Sequence, residues 1–437
     1  MTTSTHLIRT RRFLPLFVTQ LLGAFNDNLF KNSVVLFVVY NIYNSQAAEA
    51  RFSAISSGVF IIPFFLFSSL SGQLADMRDK AKIIRVIKAC EIGIMLVGAA
   101  GLLLAWRHIA VDAVALPLML LALFAMGTHS TFFGPIKYAI LPQHLRENEV
   151  LAGTGLVEAG TYMAILAGTM LAGVVVEYAQ WVAAGVVITA LVGYVAGREV
   201  PSAPPHMPSE PLDFHIIRAS ITLIRTTMED RRVFLAIMAI SFFWAIGAIL
   251  FIEFPPLAKN VLSAKPLVAS LFLAIFSVGV AIGSMSINML LKGKVSARYS
   301  PAAVLVMAVF VVALEQVCQL WVPNHSGHLM NVAEFFSYRL SFALMATLLG
   351  IAIAGGMFVV PLYAFLTTCV DKSLTARTIA ANNVVNSLAM VLGALLAISL
   401  SMFGVKIVQQ LLLSAVMCLI SAWLALLLYR AEQQAAS

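Results

Sequence analysis

Gln20, Ala24, Asp27 and Lys31 follow a 4-3-4 spacing inside one otherwise apolar run, which places them on a single helical face. Asp27 and Lys31 are opposite charges one turn apart, and Asn28 and Asn32 widen the polar stripe. A charge in mid-bilayer costs about 2.5–3.5 kcal/mol on insertion scales, so such groups mark either a lock between helices or a binding site. An acid and a base at this spacing can neutralise each other, or they can hold the two ends of a zwitterion. Five polar groups on one helix exceed what packing needs.

A second group falls on a later run. His129, Phe133 and Lys137 lie a turn apart on one face, flanked by Thr128, Ser130 and Thr131. Lys137 sits near the end of its run, where it either snorkels to the interface or binds a substrate or carboxylate. Glu158 lies about two turns into the next run. An uncompensated Glu there is protonated or paired, and Lys137, at similar depth, is its natural partner. Lys88 and Glu91, three residues apart, read as a structural pair. Asn382, Asn383 and Asn386 either bridge helices by hydrogen bonds or line a cavity. No His-Glu-x-x-His or Gly-x-Ser-x-Gly motif is present. His129 and Ser130 are adjacent on a helix and point to different faces, so they make no hydrolase. Cys90, Cys318, Cys369 and Cys418 are scattered and read as buried thiols, not disulfides or metal ligands. No cofactor is expected.

The elements that must position these groups are membrane spans. Of 437 residues, 61% are hydrophobic and 11% charged, against about 25% charged in a soluble domain. That excludes a soluble enzyme, a disordered chain and a disulfide-built module. The apolar runs are continuous rather than alternating, which excludes a barrel. Twelve spans are expected, near 13–40, 52–75, 83–106, 114–140, 151–176, 181–197, 233–256, 267–291, 302–322, 342–366, 378–402 and 407–429. The first follows Arg9, Arg11 and Arg12 like a signal peptide, but it is too long and too polar to be a cleaved leader. The chain divides into an N-terminal six-helix half over 1–197, a linker over 198–232 and a C-terminal six-helix half over 233–437. The linker opens with five prolines between Pro201 and Pro211. It then carries Ile216, Ile217, Ile221 and Leu223 among Arg218 and Arg225, the pattern of an amphipathic helix on a membrane surface.

With the N-terminus inside, nineteen of the 28 Lys and Arg residues fall on the cytoplasmic side, six fall opposite, and three lie within spans. This bias puts both termini in the cytoplasm. The net charge of +8 is therefore an orientation signal, not a sign of nucleic-acid binding. Phe133-Gly134-Pro135-Ile136 in span four is echoed by Val359-Val360-Pro361-Leu362 in span ten. Two such halves match the parallel repeats of secondary transporters.

The loop after span two reads Gly72-Gln73-Leu74-Ala75-Asp76-Met77-Arg78-Asp79-Lys80. A Gly permits close helix approach, and an acid at a helix end can bridge to a neighbouring helix terminus. This loop resembles the signature loop of the major facilitator superfamily, with Met77 and Asp79 departing from the usual base and Gly. Gln20 to Asn28, Gly134 to Leu141, Asn148 to Glu158, Phe242-Phe243-Trp244 and Gly355 to Leu362 resemble, more specifically, the bacterial lysophospholipid transporter family, over nearly the whole chain. The resemblance implies an all-α membrane protein with the major facilitator fold. It implies a flippase that carries lysophospholipids, chiefly lysophosphatidylethanolamine, from the outer to the inner leaflet of the bacterial inner membrane for reacylation. Asp27, Lys137 and Glu158 carry over residue by residue, and Gly72, Asp76 and Arg78 correspond to the gate. The family's Arg in span seven and Glu in span eleven are matched here by Phe251 and Asn386, and Lys31 is an extra charge that can take the missing Arg's place beside Asp27. An acyltransferase and an acyl-carrier-protein synthetase, fused to the transporter in some relatives, are then expected as separate functional partners of a monomeric carrier. The other readings are a proton-coupled facilitator exporting a drug or small amphiphile, an intramembrane enzyme and a non-transporting scaffold. The charged and amide-rich stripes argue against the scaffold.

Overall fold

In the computed structural model, residues 6–42, 46–175, 178–205, 212, 215–321 and 329–436 are described. Twelve long helices account for most of them. In chain order they are α1 Leu14–Asn41, α2 Gln46–Met77, α3 Lys80–Trp106, α4 Leu116–Ala139, α5 Glu147–Val175 and α6 Ala179–Arg198. The second set is α7 Arg231–Pro256, α8 Pro266–Leu291, α9 Ser300–Leu320, α10 Arg339–Thr368, α11 Thr375–Met402 and α12 Ile407–Ala436. Each covers one expected span. Eleven are long and apolar enough to cross a membrane by composition alone. The exception is α1, whose 28 residues are ample in length but whose polar stripe lowers its hydropathy. Among the described residues the backbone forms no strand beyond an isolated bridge between Ala264 and Met330.

Local chemistry sets the helix starts. Proline occupies the first turn of α1, α4, α8 and α9, where its missing N–H costs nothing. Asp79 and Asp230 cap α3 and α7, accepting from the N–H of Ala81 and of Arg232. Burial pushes the Asp79 carboxyl up, but hydrogen bonds from the Ser202 hydroxyl and the N–H groups of Ala203, Ala81 and Lys82 outweigh it and hold the group below its ordinary value. The same bonds pin the chain leaving α6 across the start of α3. The linker's amphipathic helix spans Ile216–Thr227, and residues 206–211, which include Pro208 and Pro211, lie outside the described set.

The helices cluster into two units. One comprises Met1–Glu149, Gly160–Thr226 and Val370–Val384; the other comprises Val150–Ala159, Thr227–Cys369 and Val385–Ser437. Within the first, α1 packs on α6, α2 on α4, and α3 on both α4 and α6. Within the second, α7 packs on α12, α8 on α10, and α9 on both α10 and α12. The pairing pattern is the same after a shift of six helices, which is what a parallel repeat requires. The core of the first unit is built from Phe30, Val34, Met95, Leu102, Met119, Leu123 and Met126.

Not all cysteines follow the buried expectation. Cys318 and Cys418 are buried, Cys369 is half-buried, and Cys90 is exposed on α3. The periphery of a membrane bundle meets lipid tails as apolar as its core, so an apolar run does not say which of its thiols turns inward.

Candidate functional site

In the first unit α1 sends adjacent side chains to two helices. Asp27 accepts a short hydrogen bond on Oδ2 from the Ser130 hydroxyl of α4. Its Oδ1 is out of solvent contact and has no hydrogen-bond partner among the described residues. The next residue back, Asn26, donates from Nδ2 to Glu91 Oε1 on α3 at 2.9 Å. Glu91 Oε2 takes the Lys88 ammonium at 2.6 Å and has His129 Nε2 at 3.3 Å. Lys88, Glu91 and His129 are all buried. The Phe133 ring stacks on His129 at 6.4 Å, and the Lys88 ammonium sits 5.7 Å from its centroid. Because His129 and Ser130 are neighbours on α4, one helix turn joins the Asp27 and Glu91 groups into a single polar seam.

The residues expected on one face of α1 find separate partners. Gln20 Oε1 accepts from Thr161 Oγ1 of α5 at 3.0 Å, and Asn32 reaches Thr169 on the same helix at 3.0 Å. Asp27 turns to α4. The Lys31 ammonium lies over the Phe60 ring of α2, 5.3 Å from its centroid. The Asp27–Lys31 ion pair allowed by the spacing is not formed: a hydroxyl satisfies one oxygen of the acid, and a ring face attracts the cation. Both side chains are half-buried.

In the second unit Asn386 of α11 is buried. Its Oδ1 accepts from the Ser241 hydroxyl of α7 at 2.8 Å, and its Nδ2 donates to the Tyr363 oxygen of α10 at 3.3 Å. Trp244 Nε1 donates to the same Tyr363 oxygen at 2.8 Å. Phe251, on α7, packs edge-on against Phe276 at 5.1 Å. A neutral amide and a phenyl ring thus stand where the resemblance implied an acid and a base. Losing both charges together leaves neither one uncompensated.

Gly72, Asp76 and the start of α11 form a backbone clamp within the first unit. Asp76 Oδ1 accepts from the N–H of Ala376 at 3.0 Å, and Oδ2 accepts from the N–H of Arg377 at 3.1 Å. The Arg377 guanidinium adds a 3.7 Å ion pair. A carboxylate on the first turn of a helix meets unpaired donors and the positive end of the dipole. A Cβ on Gly72 would lie 2.8 Å from Ala380 Cβ and 3.1 Å from the Arg377 backbone, so the close approach requires glycine. Arg78 is exposed.

The Lys137 ammonium lies 4.9 Å from the Tyr138 centroid. Glu158 is buried and belongs to the segment of α5 grouped with the second unit, whereas Lys137 belongs to the first. Ser241 and Tyr363 escaped the reading of the sequence, and Ser130 was read only as a neighbour of His129, not as the donor to Asp27. Single hydroxyls in apolar runs carry no signal unless one asks which donors serve each intramembrane acid or amide. Glu315, a buried acid on α9, accepts from its helix neighbours Gln316 and Gln319.

Twelve long helices in two like-paired sets match the parallel-repeat architecture of carriers. A family model of the Major Facilitator Superfamily matches residues 16–348. The chain belongs to the Major Facilitator Superfamily. Among relatives, "Lysophospholipid transporter LplT" of Cronobacter sakazakii is 26% identical over 391 residues, spanning 88% of this chain and 87% of the relative. The protein of the same name from Escherichia coli (strain SE11) is 25% identical over 382 residues, spanning 86% and 85%. Among solved structures, the human organic anion transporter MFSD10 superimposes with a TM-score of 0.70 at 13% identity, over 95% of this chain and 99% of that one. A bacterial homologue of the iron transporter ferroportin, in an outward-facing state, gives 0.69 at 13%, over 99% and 100%. These two likenesses concern the fold alone. This facilitator is a multi-pass membrane transporter, and its relatives are named as transporters, not enzymes.

Proposed function

We propose that this facilitator moves lysophospholipids, chiefly lysophosphatidylethanolamine, from the outer to the inner leaflet of the bacterial inner membrane, delivering them for reacylation by separate enzymes. The observation that carries the reading is the pair of half-buried charges on α1. Asp27 has an oxygen with no partner, and one turn away the Lys31 ammonium rests on an aromatic face without a salt bridge among the described residues. An ethanolamine head carries an amine for Asp27 and a phosphate for Lys31 or Lys137. Gln20 and His129 complete the polar lining assigned to the head within the first unit; in the second unit Glu158 and Asn386 are assigned as substrate-binding residues on their own. Relatives named as lysophospholipid transporters over 86–88% of the chain support the same substrate class. The test is conversion of externally added labelled lysophosphatidylethanolamine to diacyl lipid in spheroplasts lacking other routes. The expected result is a clear gain over empty vector. No gain for any lysolipid, together with proton-driven expulsion of a soluble drug, replaces this reading with that of an exporter.

Alternating access requires a gate. Asp76, held by Gly72's close approach and followed by Arg78, serves as the gate on the cytoplasmic side by capping α11. Asp76→Ala removes two charge-assisted hydrogen bonds, each worth about 1.5–3 kcal/mol. Cysteines introduced near Arg377 should then react faster with a cytoplasmic thiol reagent, and transport should fall. Unchanged reactivity with full transport removes the gating role.

A further inference from the structure

A cavity of about 520 Å³ opens at one end of the first unit, lined by Arg11, Arg12, Arg85, Arg198, Glu199 and Pro201. It lies where α1 and α3 begin and α6 ends, so all three helices reach the same membrane face there. Four guanidiniums meet one carboxylate. Arg12 is committed to Glu149 at 2.6 Å. The Arg11–Glu199 contact is long at 3.7 Å, with both side chains largely exposed, and such pairs contribute little. Arg85 donates to the Val200 carbonyl at 3.3 Å, which leaves most of its fork available. Arg198 has no hydrogen bond or ion pair among the described residues.

The cavity wall is fixed in advance. Lys80 N–H donates to Ala203 O at 3.1 Å, the Ser202 hydroxyl donates to Asp79 at 2.5 Å, and Ala203 N–H donates to Asp79 at 3.1 Å. These bonds hold the Glu199–Ala203 strap over the start of α3. The Arg85 fork, anchored on the strap, together with the unpaired Arg198 guanidinium suits a phosphate, which can take two parallel N–H bonds from a guanidinium.

The surroundings select the kind of phosphate. Val86 on α3 is 63% exposed, and Val192 and Val195 on α6 are 49% and 63% exposed. All three lie within two turns of the cavity. An apolar track leading away from a guanidinium pocket fits acyl chains below a headgroup, and a soluble anion has no use for it. We propose that this cavity binds the phosphodiester headgroup of an anionic diacyl phospholipid of the surrounding leaflet. The site is separate from the α1 charges and does not rest on the lysolipid reading.

The experiment uses the full-length protein in nanodiscs containing phosphatidylglycerol and phosphatidylethanolamine, with retained lipid counted by native mass spectrometry. Wild type should retain phosphatidylglycerol preferentially. Arg85→Gln with Arg198→Gln should lower that preference by roughly tenfold, each removed cation weakening attraction to an anionic headgroup. Arg198→Gln alone, at an exposed position, should give an intermediate loss, with unchanged helicity serving as the folding control. Equal retention of both lipids by wild type, or an unchanged preference in the double variant, overturns the site. Millimolar inorganic phosphate that displaces the lipid completely and alone stabilises the protein as well as phosphatidylglycerol does assigns the cavity to a soluble anion, and the lipid proposal fails.

Discussion

Asp27→Asn should insert and fold like wild type yet lose lysophosphatidylethanolamine flipping by roughly 10- to 100-fold, the range set by one charge-assisted hydrogen bond. The substitution is nearly isosteric. Its amide still accepts from Ser130 on one side, so the seam between α1 and α4 survives. What disappears is the negative charge on Oδ1, the oxygen that has no partner among the described residues. A lysolipid with a phosphoglycerol head, which carries no amine, should lose far less. Parallel assays of the two lysolipids in spheroplasts separate headgroup binding from general damage. Wild-type flipping of the ethanolamine lipid by this variant makes the polar stripe structural only.

The largest effect on stability should come from Glu91. Removing one member of a buried ion pair leaves the other uncompensated, at a cost of about 3–5 kcal/mol. Glu91→Leu strands the Lys88 ammonium, which is fully buried, deprives Asn26 of its acceptor and removes the carboxylate beside His129. Lys88→Met alone strands the carboxylate. The double variant Lys88→Met, Glu91→Leu replaces the pair with apolar volume and should recover most of the folded protein, measured by monodisperse yield in detergent and by thermal unfolding. Strictly additive losses would show that the two charges do not depend on each other.

The spans were legible because hydrocarbon imposes a length and a composition on every crossing: α2 to α12 meet both, and α1, with its polar stripe, is legible by its length. The linker helix Ile216–Thr227 was legible for a related reason: its apolar residues recur at helical spacing among arginines. Partners across helices were not legible. Lys88 and Glu91 announce themselves by their i,i+3 spacing, but nothing in the chain says that His129, 38 positions beyond Glu91, closes on the same carboxylate. Asp27 and Lys31 show the opposite case. Their spacing permits a pair, yet Ser130 and Phe60 arrive from other helices and take one each. Local periodicity states what can meet on one helix, and tertiary packing decides what does.

The Asp76 clamp has a consequence for how this position tolerates change. Its two donors are main-chain N–H groups, which every residue except proline provides. The side chain at 377 is therefore free to vary as far as those two bonds are concerned, while the one at 76 is not. No side-chain substitution on α11 can restore those two bonds once the acid is lost, because their donors are main-chain groups; the 3.7 Å Arg377 ion pair is the part a side chain can change. The constraint is mostly one-sided: coupling between these positions would come from the 3.7 Å ion pair alone and not from the two main-chain bonds. A proline at 377 would be the exception, deleting a donor outright.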